Sequence, residues 1–191
     1  MFYRREEKEE RLGQHARVIW FTGLLSSGKT TLACSLAEEL AKRGYFCQVL
    51  DGDILRSGIN NDLGFSMNDR HENIRRAAEI SRLLLNNGII VLCSFISPTI
   101  NIREKAREII GSQDFTEVWL STSLEVCEKR DTHGLYRKAR MGEVKNLTGI
   151  DSVYEPPVNP DIIIDTSSGD ISGDTELILE KLLPLISKQP V

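Results

Sequence analysis

Short, continuous apolar runs alternate along this chain with longer stretches whose apolar residues recur every three or four positions. Val18-Ile19-Trp20-Phe21 is unbroken and gives way to Gly23-Leu24-Leu25-Ser26-Ser27-Gly28, which predicts a strand ending in a tight loop. From Lys29 onward Leu32, Leu36, Ala37 and Leu40 keep helical spacing, and Gly44 after Lys42-Arg43 is a helix stop. The alternation continues with strands over 46–50, 89–94, 115–120 and 162–165. Helices are predicted over 68–86, stopped at Asn87-Gly88, around 103–110 after Pro98, over 123–130 with Ser123 as cap, and over 175–186. Strands that are apolar throughout and separated by helices specify an α/β fold, a five-stranded parallel sheet covered on both faces.

One segment breaks the rhythm. Residues 131–159 are polar, rich in Arg and Lys, and punctuated by Gly134, Gly142, Gly149, Pro156 and Pro157, so they read as a long functional loop, a mobile lid. The first 16 residues form a charged N-terminal arm, and 17–191 form one domain. A length of 191 residues with 40% hydrophobic and 27% charged residues suits a single core. The net charge of −4 comes from interspersed signs, so no nucleic-acid partner is expected. No run approaches the ~18 apolar residues of a membrane span, and the start of the chain lacks an apolar leader core, which together predict a cytoplasmic protein with no membrane partner. Cys34, Cys47, Cys93 and Cys127 form no CxxC pair and are expected as free thiols, mostly buried, and the three histidines have no metal-ligand spacing.

The chemistry begins at Gly23-x-x-x-x-Gly28-Lys29-Thr30, a Walker A pattern lying where that pattern requires, between a predicted strand and a predicted helix. Two glycines let the backbone curl so that several N–H groups converge on a phosphate, and the helix N-terminus adds partial positive charge. Lys29 is expected to reach the β- and γ-phosphates of ATP, and the Thr30 hydroxyl to ligate Mg²⁺. The loop from Gly23 through Leu24, Leu25, Ser26, Ser27, Gly28, Lys29 and Thr30 to Thr31 is therefore the candidate nucleotide cradle.

Asp51-Gly52-Asp53 ends the second predicted strand, the place for a carboxylate near metal and nucleophile; Asp53 is the candidate to accept the acceptor's proton or to hold the Mg²⁺ shell. Arg56, Arg70, Asn73 and Arg76 follow, the last three on one helix face, and guanidinium groups suit phosphate or sulfate oxyanions.

These motifs, with Leu63-Gly64-Phe65-Ser66, Phe95-Ile96-Ser97-Pro98, Cys127-Glu128-x-Arg130-Asp131, Gly134-Leu135-Tyr136-x-Lys138-Ala139-Arg140 and Thr148-Gly149-Ile150-Asp151, resemble the adenylylsulfate (APS) kinase family in order and spacing. The resemblance implies a P-loop nucleoside-kinase-like three-layer sandwich, ATP and Mg²⁺ as cosubstrate and cofactor, APS phosphorylated on its 3′-hydroxyl, and a homodimer. It places Lys29, Asp53 and Ser97 in catalytic positions, Ser97 matching a serine that some members carry as a phosphoserine. It places Arg56, Phe65, Arg70, Asn73, Ile96, Ser97, His133, Lys138 and Leu147 on the acceptor, with Phe65 stacking on adenine. Arg130, Arg137 and Arg140 would close over ATP. His133 and Leu147 stand where the family carries lysine and phenylalanine, which leaves open a related kinase acting on a different nucleotide-type acceptor. A GTPase switch is not expected, since no NKxD segment exists.

Overall fold

The computed structural model describes residues 3–188. Five parallel strands, β1 (Val18–Thr22), β2 (Cys47–Asp51), β3 (Ile90–Ser94), β4 (Phe115–Leu120) and β5 (Ile162–Ile164), lie in the order β2-β3-β1-β4-β5. Because strand side chains alternate, β1 sends Val18 and Trp20 to one face and Ile19 and Phe21 to the other. Helices α4 (Met67–Leu85) and α5 (Ile100–Ile110) cover the first face with Ile74, Ala77, Ala78, Ile102 and Ala106. On the second face α2 (Lys29–Lys42) and α8 (Ile171–Ile186) supply Leu32, Leu36, Leu40, Ile178, Leu179 and Leu182. This is the three-layer sandwich that the alternation predicts.

The order of the strands places the site. The chain leaves β1 toward the β2 edge but leaves β3 toward β4, so connections from these two neighbours diverge and a crevice opens at their carboxyl ends. Two short helices, α3 (Gly52–Ser57) and α6 (Leu124–Lys129), begin at the carboxyl ends of β2 and β4, and a third, α7 (Leu135–Arg140), lies within the segment expected as loop.

The differences from the sequence reading have local causes. Helix α5 begins at Ile100, not near 103, because the Thr99 hydroxyl caps it by accepting from the Ile102 amide. Helix α8 begins at Ile171, not 175, because Asp170 caps it through the Gly173 amide. Such polar first turns carry no apolar periodicity. All four cysteines are free, but only Cys93 and Cys127 are buried; Cys47 is half-buried and Cys34 exposed.

The charged N-terminal segment forms α1 (Arg5–Leu12) and packs under the sheet. Arg5 forks onto the Asp114 carboxylate at 2.6 and 2.8 Å, and buried Gln14 donates at 2.8 Å to the carbonyls of Phe46 and Gly88. All these partners precede strands, so α1 braces the end of the sheet opposite the crevice. Among the described residues no helix is long and apolar enough to cross a membrane.

Candidate active site

The loop between β1 and α2 is held in a conformation that its residue types permit. Gly28 has φ 97°, and a Cβ added at Gly23 would meet the Ser27 hydroxyl at 2.8 Å and the Leu120 carbonyl at 3.0 Å. Lys29 is buried, and its ammonium donates to the carbonyls of Gly23 at 3.1 Å and Leu24 at 2.6 Å. Burial pushes its pKa down from 10.5 to about 8, against the opposing pull of Cys127, Asp51 and Asp53. The Thr30 hydroxyl donates to Asp51 Oδ2 at 2.7 Å and lies 2.9 Å from the Ser94 hydroxyl. Hydroxyl, carboxylate and hydroxyl thus stand together at the mouth of the loop, an oxygen-only set of the kind Mg²⁺ takes alongside phosphate oxygens.

That contact separates the two carboxylates. Both oxygens of Asp51 are engaged, one by Thr30 and the other by the amides of Asp53 and Ile54, which caps α3. The structure therefore sets Asp51, not Asp53, against Thr30. Asp53 is exposed, lines the crevice, and has no side-chain hydrogen bond among the described residues.

Across the crevice stands a second wall. The Arg56 guanidinium lies 4.6 Å from the Phe65 ring centre and donates to the Gly64 carbonyl at 2.7 Å. Arg70 lies 5.9 Å from the same ring and donates to the carbonyls of Phe65 at 3.1 Å and Asn146 at 2.7 Å. Desolvation first, and then the like charge of Arg56, hold Arg70 below its ordinary pKa, so two cations converge on one side of the crevice. Asn73 accepts from buried Asn60 at 2.9 Å. Ser97 has φ 39°, a left-handed conformation that is strained for a side chain bearing Cβ. Its hydroxyl accepts from the Trp20 indole at 3.1 Å, and its carbonyl accepts from Arg103 at 2.8 Å. Arg76 departs from expectation: it pairs with Asp62 and Glu72 on the outer side of α4 and does not reach the crevice.

The segment 131–159 closes the third side and is tied at several points. Tyr136 is buried with its hydroxyl donating to the Leu25 carbonyl at 2.9 Å, and its amide donates to Asp131 at 2.8 Å. Asp151 accepts the amides of Asn146 and Leu147, both at 2.7 Å. Arg130 grips Thr166 through hydroxyl and carbonyl at 2.8 and 2.6 Å.

One cavity of about 670 Å³ unites these pieces. Among the candidates it is lined by Leu25, Ser26, Gly28, Lys29, Thr30, Thr31, Asp53, Arg56, Phe65, Arg70, Asn73, Ile96, Ser97, Arg130, His133 and Leu147. Gly23, Leu24 and Ser27 lie behind the lining. Arg137 and Arg140 border a neighbouring surface depression instead, where Arg140 pairs with Glu128, and Lys138 borders neither space. Sequence reasoning missed the wall formed by Thr166, Gly169, Ile171 and Asp174, although the polar turn directly after the fifth strand marked a carboxyl-end loop.

A phosphate cradle and an anion-reading wall sharing one cavity at the carboxyl ends of this sheet define a P-loop kinase. The sequence profile described as adenylylsulphate kinase matches residues 15–165. An adenylyl-sulfate kinase of Bacteroides thetaiotaomicron is 56% identical over 97% of this chain and 92% of its own, and one from Phocaeicola vulgatus is 51% identical over 97% and 91%. The solved Mycobacterium tuberculosis APS kinase in complex with AMPPNP and APS superposes with a TM-score of 0.85 at 43% identity, covering 88% of this chain and 98% of its own. This chain belongs to the adenylylsulphate kinase family.

Proposed function

We propose that this protein transfers the γ-phosphoryl group of ATP to the 3′-hydroxyl of adenosine 5′-phosphosulfate, giving 3′-phosphoadenosine 5′-phosphosulfate. The carrying observation is the single cavity in which the Lys29 loop faces Asp53, Arg56, Phe65 and Arg70. On this reading the loop amides and Lys29 bind the donor phosphates, Lys29 exchanging the carbonyls of Gly23 and Leu24 for phosphate oxygens. Asp53 takes the proton of the attacking hydroxyl, because Asp51 has both oxygens engaged while Asp53 has neither. Arg56 and Arg70 bind the acceptor's anionic end, Phe65 stacks on its adenine, and Asn73, Ile96, Ser97, His133 and Leu147 complete the pocket. Ser97 shapes this wall through Trp20 and Arg103, and direct in-line transfer needs no covalent step on it.

Mg²⁺ would be held by Thr30, with Asp51 behind it and Asp53 within the crevice, and would neutralise charge on the β- and γ-phosphates. Arg130 contacts ATP, while Arg137, Lys138 and Arg140 reach the site only if residues 131–159 close further, excluding water. The same reading keeps 17–191 as the catalytic domain after the charged 1–16 arm, whose helix α1 braces the sheet, in a cytoplasmic homodimer. Sedimentation tests the dimer against the monomer and against the hexamer named for the Thiobacillus denitrificans relative.

Incubation with ATP, Mg²⁺ and APS, followed by product identification, tests the assignment. A 3′-phosphorylated product upholds it; preferential use of another nucleotide in an acceptor panel overturns the choice of APS.

A further inference from the structure

Three carboxylates line the cavity, Asp51, Asp53 and Asp174, and the transfer chemistry absorbs only the first two. Asp174 is 9% exposed, and among the described residues its carboxylate has no hydrogen-bond or ion-pair partner. It is not spent on the helix end that carries it, since Asp170 already caps α8 through the Gly173 amide. Burial and the neighbouring charges of Asp170 and Asp165 push its pKa up, as befits a carboxylate lacking donors.

Its position follows from its neighbour. Thr175 hydrogen-bonds Ser35 on α2 at 2.9 Å. Ser35 lies six residues beyond Lys29, roughly 9 Å along the helix axis at 1.5 Å per residue. The intervening wall is Thr166, which packs beside Gly28, then Gly169 and Ile171, with Arg130 fixed on Thr166. The wall of the cavity beyond the loop thus carries a flat guanidinium, an apolar side chain and an unpaired carboxylate, and it is against this wall that we place the base of a triphosphate seated on the loop.

We propose that Asp174 accepts a hydrogen bond from the exocyclic amino group of the donor nucleotide's base and so selects adenine over guanine. The inference rests on the reading of this cavity as the ATP site. Guanine presents a carbonyl oxygen where adenine presents the amine, so the same carboxylate repels it, and a site built for a donor rejects the analogue lacking one.

The test compares ATP and GTP at fixed acceptor in wild type, Asp174→Asn and Asp174→Ala. The ATP:GTP ratio of kcat/KM should fall by at least about tenfold in both variants, with acceptor KM unchanged and the melting temperature held or raised, since an unpartnered buried carboxylate is removed. Asn, which offers a donor to the guanine oxygen, should raise GTP use most. Wild type supplies a measurement free of mutation: N6,N6-dimethyl-ATP, which has no N–H to give, should be used about as poorly as GTP. An unchanged ratio in both variants, or full use of the dimethyl analogue, overturns the proposal. So does strong discrimination against 2′-deoxy-ATP that vanishes in the variants, because the carboxylate would then be reading the ribose. Should wild type fail to phosphorylate APS, the functional reading falls, while calorimetric binding of ATP against GTP to the three proteins still decides the role of Asp174.

Discussion

The phosphate cradle and the acceptor wall face one another across a single cavity but are built by opposite means. The cradle is one contiguous run of backbone, set by φ at Gly28 and Ser26 and by the start of α2, with Lys29 as its one buried cation. The wall is assembled from side chains on α3, on the loop before α4, on α4 itself and on the segment after β3. Its orientation is borrowed: Arg70 is aimed by the carbonyls of Phe65 and Asn146, and Ser97 is held by Trp20 and Arg103. A backbone-built site binds any phosphate chain and tolerates little change at its few fixed residues. A side-chain-built site reads one ligand and should respond to substitution in graded steps.

The sharpest break in the cradle is Lys29→Ala. On the proposed assignment it removes the charge that faces the transferring phosphoryl group, and kcat should fall about 10²–10³-fold, in line with loss of one strong transition-state donor. The melting temperature should hold or rise, because a desolvated ammonium disappears with it. Retention of more than about a tenth of wild-type turnover would contradict the cradle assignment.

At the boundary between the two regions, Asp53→Asn should lower kcat about a hundredfold with stability unchanged, as for an exposed general base. Asp51→Ala should lower activity and also cost about 1–2 kcal/mol of stability, because it strips the cap from α3 and leaves Thr30 without its acceptor. Paired kinetics and urea melts separate the two. Equal stability losses would show that the structure's division of labour between these carboxylates is wrong.

On the wall, Arg70→Leu should raise acceptor KM about tenfold or more while ATP KM stays put, the loss of a charge-assisted contact being worth ~1.5–3 kcal/mol. A matching rise in ATP KM would mean that the two regions are not independent.

The same contrast explains what could be read in advance. The cradle was legible because glycine, lysine and threonine at fixed spacing encode it within nine residues, and the sheet because β1, β3 and β4 are buried almost throughout. On the acceptor side, residue types were legible but partners were not: nothing in the spacing says that Arg76 turns to Asp62, that Asp51 rather than Asp53 meets Thr30, or that Arg140 is taken by Glu128. Those outcomes depend on which distant segments share a neighbourhood. Helix α7 inside the expected loop belongs to the same class, since it is fixed by Tyr136 reaching Leu25 of the cradle.

The smallest expected effect concerns protons. Lys29 has a pKa of about 8 in the ligand-free protein, below the ordinary 10.5, with burial as the main cause. The unfolded chain holds this proton to higher pH than the folded one, so the contribution of Lys29 makes the ligand-free protein more stable as pH climbs from about 8 to about 10.5. Below that window both states are protonated and the burial cost is present in full. A bound triphosphate supplies the missing counter-charge and should raise the pKa again, so the Lys29 contribution to ATP binding is an uptake of up to about half a proton from the buffer near pH 8 and almost none at pH 6.5. Calorimetry in two buffers of different ionisation enthalpy reads this directly. Lys29→Arg keeps a cation in the loop but never releases its proton in this range, so it should bind ATP without that uptake. Equal uptake in wild type and variant would show that the proton comes from elsewhere and that the loop does not hold Lys29 partly discharged.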